Sequence, residues 1–418
     1  MQISDTTFST NVSHPTENTT SGLLVVVFGI IIYIGRFQEV VPYFRILKLG
    51  AVATLLISIT LIMMMIRGDF KKYLFNNVEF KTFALLFICG VLSTATALNH
   101  SFSFNYLIFT FLRIFLFVVL IINTIRTMAD IRRVIWVFVG VVTILALPAF
   151  FGDFSLDAEH RFKSIDGTYD TNDIALVMAI SLPFMVGLIS QSTGIVRITG
   201  IFSLVAALTM IIRSHSRGGF LALVTVLGAM LFRSKSINRL QKISVVMVFF
   251  LLFYFFAPDS YLDRMGSIGV EDYNVTATYG RKQIWERSWK LMKEYPLVGA
   301  GMGCFEVANA YHFESEIGGV AWRATAHNSF LLIGVELGFT GLILYCTMLL
   351  SGLKHALQEV NLYSEVADRR DDLWIASALE ASIVGFIVGG FFLSFSNNPT
   401  SYFLVALVVA YQNVVGRK

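Results

Sequence analysis

"TGIFSLVAALTMIIRSHSRGGFLALVTVLGAMLF", Thr199–Phe232, decides the fold. Two apolar runs meet at a short polar stretch, "RSHSRGGF", Arg213–Phe220. The runs belong to candidate membrane spans 194–213 and 217–233, since a spanning helix needs about 20 mostly apolar residues, roughly 17–25. The polar stretch between them carries two arginines at i and i+4. If the helix continues through them, both project from one face about one turn apart. Gly218 and Gly219 follow, and they allow another backbone or a ligand to approach closely. Two guanidinium groups so arranged suit a diphosphate at the membrane surface.

The rest of the chain agrees with a membrane setting. Of 418 residues, 56% are hydrophobic and only 14% charged, against about 25% charged in soluble domains. A net charge of +4 implies no nucleic-acid partner. Cys89 and Cys346 lie in apolar runs, and with Cys304 they form neither a disulfide framework nor a metal-ligand spacing. The polar first twenty residues lack Lys and Arg, so no cleavable signal peptide is expected. Their "NVS" and "NTT" triplets are the sort that polar tails produce by chance.

The expected architecture is all-α and polytopic, with spans near 20–36, 46–66, 82–99, 104–125, 132–152, 172–191, 194–213, 217–233, 243–258, 327–351, 373–394 and 399–415. The chain divides into membrane helices over 1–258, a large loop with an amphipathic helix over 259–326, and further membrane helices over 327–418. Segment 352–372 is soluble-looking. Cations in short loops fix the sides. With the N-terminus cytoplasmic, that side carries about 17 cations in short loops and the other about 7. Arg36, Arg45 and Lys48 after the first span locally favour the reverse, but the sum over many loops decides. Segment 259–326 and "RSHSRGG" then lie outside. So does "HRFK", His160–Lys163. Cations kept there against the orientation rule call for an anionic partner, the competing reading being snorkelling to headgroups.

"ATAHNSFLLIGVELGFTGL", 324–342, opens a late span. His327 falls in its expected first turn, with Thr325 as a possible N-cap. A helix N-terminus disfavours imidazolium, so a neutral ring there is a credible general base; the bland alternative is a histidine bonded locally at the interface. Residues 281–294 read as an amphipathic helix. Its apolar side is Ile284, Trp285, Leu291 and Met292; Arg281, Lys282, Arg287, Lys290 and Lys293 lie around the polar side, mostly as a solvated face. Arg281 stands out because it opens the helix. Pro296 is a stop, and "GAGMG" a flexible turn that only superficially resembles a dinucleotide fingerprint. Within the spans the charges are few: Arg113, Glu336 and Glu380. Arg113 is expected to pair with one of the glutamates. Gly389 and Gly390 suit close helix packing.

"RSHSRGGFLAL", then "RKQIWERSWK…YPLVGAGMGCFE", then "AHNSFLLIGVELGFTGL" resemble the O-antigen ligase/polymerase superfamily in order and topology, over roughly residues 100–350. "YDTNDIALVMAISLPF", 169–184, is similar to that family's Asn-containing start to a span. The resemblance implies a GT-C-like inner-membrane glycosyltransferase of lipopolysaccharide or related glycan biosynthesis, with its site on the periplasmic face. It implies undecaprenyl diphosphate as glycan carrier and an acceptor hydroxyl on a lipid-linked glycan or a protein. It implies neither metal nor other cofactor, and no DxD motif stands in the outer loops. By motif, the catalytic residues are His327, Arg217 and Arg213. The diphosphate-binding residues are Arg161, Arg213, Arg217 and Arg281, with Asn172, Asn328 and Glu336 in support. His215 has no assigned part. The ligase, polymerase and protein O-oligosaccharyltransferase branches stay open. A glycan flippase is disfavoured, because the charge gathers at one face rather than along a central cavity.

Overall fold

The computed structural model describes residues 17–40, 44, 46–150, 169–234, 238–256, 280–317, 325–363 and 370–416. The architecture is all-α, with no strand among the described residues. The helices run α1 Glu17–Gly29, extended by a π turn Ile30–Ile34, then α2 Leu49–Ile66 and α3 Val78–Ala95. Next come α4 His100–Thr124 and α5 Met128–Phe150. They are followed by α6 Thr171–Gln191, α7 Gly194–Ser214, α8 Arg217–Arg233 and α9 Arg239–Phe256. The last are α10 Arg281–Glu294, α11 Phe305–Ile317, α12 Ser329–Tyr363, α13 Arg370–Phe392 and α14 Pro399–Val415. Every expected span falls on one of these helices. Among the described residues 8 helices are long and apolar enough to cross a membrane, and Ser21–Ile34 and Pro399–Val415 are shorter apolar helices. The protein is a multi-pass membrane protein.

Two helices are apolar on every side and form the centre. In α14 each residue from Thr400 to Tyr411 is buried, and in α6 each from Ile174 to Met185. A helix apolar all round belongs inside a bundle. By contrast α2 shows Leu55, Ile59, Ile62 and Met65, and α7 shows Ile195, Ile198 and Phe202. Such apolar surface faces lipid. Caps set the starts: Thr127 and Asp130 form a capping box on α5, while Asn398 caps α14 with Pro399 in the first turn. At the end of the bundle where α6 finishes, ionic contacts tie helices together. Lys71 Nζ caps α4 through the carbonyls of Ile122 and Ile125 at 2.5 and 2.6 Å. Arg132 meets Asp372 at 2.5 Å, and Glu79 bonds His355.

Three expectations need correction. Helix α12 runs to Tyr363, three turns past the expected span end at 351 and into the soluble-looking segment. Arg113 pairs with neither glutamate. Glu380 lies 3.3 Å from Arg233 instead, and Arg113 turns toward Phe109 and Gly50. The span expected over 327–351 is broken at Gly338, whose backbone has φ 71 and ψ −173. The "PLVGAGMG" stretch docks into the break. Ala300 N–H donates to Val335 O at 2.8 Å, Gly301 N–H to Glu336 O at 3.3 Å, and Phe339 N–H to Pro296 O at 2.8 Å. Ser93 Oγ donates to Glu336 O at 2.6 Å. Backbone freed inside a membrane protein must find such partners. The expected flexible turn is thus a docked plug.

Candidate functional site

The opening stretch forms a corner, not a continuous helix. Helix α7 ends at Ser214, and His215 caps it in the left-handed region at φ 49. Ser216 then caps α8, its Oγ accepting from Gly219 N–H at 3.0 Å. Ser214 Oγ accepts from Ser216 N–H at 3.2 Å. Serine oxygens compete for amides that a continuous helix would use, and His tolerates a positive φ better than most residues. The i, i+4 face expected for Arg213 and Arg217 therefore does not exist. Arg213 ends one helix and Arg217 begins the next, both half-buried. The glycines serve packing rather than ligand access. A Cβ on Gly218 would lie 3.2 Å from Leu393, and one on Gly219 would strike Ala175.

The corner is pinned to the start of α6. Asp170 caps α6 by accepting from Asn172 N–H at 2.8 Å. Asn172 Oδ1 in turn accepts from Ser216 Oγ at 2.8 Å. The residue directly before Arg217 is thus tied through Asn172 to Asp170, whose charge acts on His327. Gly389 packs against Leu176 and Ala222, which draws α13 onto α6 and α8 as its sequence implied. Helix α13 ends at Phe392, and the chain after it runs beside Gly218.

His327 stands before α12, not in its first turn. Asn328 is the cap, its Oδ1 accepting from Phe330 and Leu331 N–H at 2.9 and 3.0 Å. Thr325 bonds Ser394 at 2.8 Å instead. His327 is held at φ 47 and half-buried. Ser329 Oγ donates to Leu393 O at 2.7 Å and accepts from Phe395 N–H at 2.8 Å. These bonds set the start of α12 against the same 392–395 strip that borders the Arg217 corner. Burial keeps the His327 ring below its ordinary value of 6.5; Arg281 adds to the effect and Asp170 opposes it. The cause is thus desolvation and a neighbouring cation, where the sequence pointed to the helix terminus.

Helix α10 brings Arg281. It covers 281–294 as expected, with Ile284, Leu291 and Met292 buried. Trp285 Nε1 donates to Ala326 O at 3.0 Å, and its ring meets Phe391 at 5.3 Å. Those contacts anchor the first turn of α10 next to His327. Arg287, expected on the polar side, is buried and lies 5.8 Å over the Phe313 ring. Lys282, Lys290 and Lys293 keep the exposed face.

The structure therefore gathers Arg217, Arg281, His327, Asp170 and Asn172 at one end of the bundle. Arg161 lies outside the described residues. Asn328 caps α12, and Asn172 bonds the corner at Ser216. Glu336 is buried at the α12 break, approached by the amides of Gly303 and Phe305 and by Asn397. One cation at this end was missed as a site residue. Arg36, at φ 50 after the π turn, lies 5.3 Å over the Tyr169 ring and acts on Asp173. Its signal was visible in the sequence as the local disagreement with the loop-charge rule. A half-buried imidazole whose pKa is lowered by burial and by a neighbouring guanidinium can take a proton while anionic charge develops nearby.

No curated protein matches the chain. The family model described as O-antigen ligase matches residues 202–346, about a third of the chain, a segment that contains Arg213, Arg217, Arg281, His327 and Glu336. This match supports placing the chain in the O-antigen ligase-like superfamily, with a membrane glycosyltransferase-like role in surface glycan assembly.

Proposed function

We propose that the protein moves a glycan from undecaprenyl diphosphate to an acceptor hydroxyl, as an O-antigen ligase-type transferase working on the periplasmic face of the inner membrane. The observation that carries this reading is that His327, its pKa lowered by burial and Arg281, stands at the start of α12 against the same 392–395 strip that borders the Arg217 corner, both within the family-matched segment. His327 accepts the proton of the acceptor hydroxyl. The acceptor oxygen attacks the sugar C1, the bond from C1 to the diphosphate oxygen breaks, and its electron pair leaves on the diphosphate. Attack opposite the leaving group inverts C1. Arg217 and Arg281, with Arg213 and Arg161, neutralise the charge that develops on the leaving group. The chain's own cations supply this neutralisation, so the reaction requires neither a metal nor a nucleotide.

Complementation of a deletion strain tests the reading. Arg217→Ala and His327→Ala proteins that accumulate in the membrane are each expected to lose roughly two to three orders of magnitude of transfer, the scale of a lost oxyanion donor. Near-normal glycan attachment by either variant would remove the assignment. The deletion strain also separates the branches: unattached lipid-linked polymer marks a ligase, and single repeats mark a polymerase.

A further inference from the structure

A polar cavity opens outside the family-matched segment, with a volume of about 420 Å³. Its walls include Arg36, Arg113, Gln38, Asn397, Asp173 and Tyr106. Arg113 is the unusual member. It lies within the span His100–Thr124, half-buried, and has no acidic partner among the described residues. Its only ring contact there is the Phe109 face at 5.5 Å. An ionisable group within a span is costly unless it is paired or functional. Arg36 differs, because its Nε lies 3.1 Å from the Glu39 carboxylate. Among the described residues the cavity thus holds one cation without a salt-bridge partner, beside the Glu39 and Asp173 carboxylates in its wall.

The other walls ask for hydrogen-bond donors. Gln38 Oε1 and Asn397 Oδ1 are buried and have no hydrogen-bond partner among the described residues. Both line this cavity. Orphaned buried acceptors cost stability until a donor reaches them. A ligand that completes this wall carries an anionic group for Arg113 and hydroxyls for the amide oxygens and Asp173. Tyr106 and Phe109 supply flat apolar faces beside them. The volume falls within the roughly 300–1,000 Å³ of ordinary small-molecule sites.

We propose that the Arg36–Arg113 cavity is a subsite for an anionic sugar, one bearing a phosphate or a carboxylate, within the acceptor glycan. The proposal rests on the transferase reading for its role, but not for its existence. The start of α6 joins the two sites: Asp173 in its first turn lines this cavity, and Asp170, its cap, acts electrostatically on His327. A glycan seated here can therefore extend toward the base. Arg113 acts in selection and touches none of the reacting atoms.

Binding to the purified full-length protein, measured by calorimetry, is the test. The probes are glucose, glucose 6-phosphate, glucuronate and inorganic phosphate. At least one charged sugar is expected to bind roughly tenfold or more tightly than glucose or phosphate alone, the scale of a charge-assisted bond. Which of the two prevails tells phosphate from carboxylate. Arg113→Met is expected to erase the preference, and His327→Ala to keep it. Equal binding of glucose and both charged sugars, or a preference that survives Arg113→Met, overturns the proposal. Should Arg113→Met fail to fold, Gln38→Leu serves: all sugars should weaken several-fold with phosphate unchanged, and undiminished sugar binding overturns the proposal. A charge preference in a protein that transfers no sugar leaves the subsite standing and removes the transferase reading. Transfer without any preference does the reverse.

Discussion

In the proposed reaction His327 carries the proton chemistry, and its surroundings set the pH at which it can act. Its folded pKa lies below 6.5 because of burial and then Arg281. The rate of transfer should therefore fall on an acid limb whose midpoint lies below 6.5. Arg281→Gln removes one depressing charge, so that midpoint should move to higher pH; an unmoved limb in the pH–rate profile would contradict the placement of Arg281. The same shift links to stability. A depressed histidine favours the folded state above its unfolded pKa, and that contribution is lost as pH falls through the folded value. In the proposed clamp, the fork of Arg217 matters as well as its charge. Arg217→Lys should lose about tenfold in transfer, less than the alanine variant, because a lysine cannot grip phosphate oxygens bidentately. Residue types were legible here, and residue positions were not. Arg217 and His327 stand out in the sequence, yet whether Thr325 or Asn328 caps α12 depends on Ser394, 69 residues away, which takes Thr325 for itself.

Helix α12 shows what a single sequence hides at the level of an element. The apolar run from Phe330 to Leu350 reads as one span, and Gly338 within it is an ordinary membrane glycine. Its break exists because amides of residues 300–301 and the hydroxyl of Ser93, 243 residues from Glu336, accept the job of pairing its carbonyls. No local pattern encodes a partner that distant. A Cβ at Gly338 would sit 2.7 Å from the Leu297 carbonyl carbon, at a φ of +71 that side chains rarely adopt. Gly338→Ala should cost at least about 1–3 kcal/mol, and Ser93→Ala about 1 kcal/mol, both read as lower thermal midpoints of the purified protein. A Gly338→Ala protein as stable as the parent would mean that the break is not built as described. The α7–α8 corner makes a similar point from the other direction. Its serines and glycines announced a polar turn, while the apolar flanks suggested continuity, and the side-chain caps won.

For the whole molecule, composition alone gave the class: few charges and long apolar runs leave an all-α membrane bundle as the fold. Which helices sit at the centre was less legible. Only packing distinguishes α14 and α6, buried all round, from α2, which is even more apolar but faces lipid. The loop-charge count also assigns sides. Ser101 is exposed at the site end and Thr193 at the other. In spheroplasts, an impermeant maleimide should label Ser101→Cys and spare Thr193→Cys; the opposite pattern would invert the topology and put His327 inside. The gathering of Arg217, Arg281 and His327 at one end matters only if that end transfers sugar. The direct measurement is glycan transfer by the purified protein, supplied with an undecaprenyl diphosphate-linked glycan and an acceptor, in the presence of chelator and without nucleotide or any second enzyme. The expected result is an inverted glycosidic product from the parent protein and none from His327→Ala. Absence of product from the parent, or equal product from a folded His327→Ala protein, would contradict the proposed function.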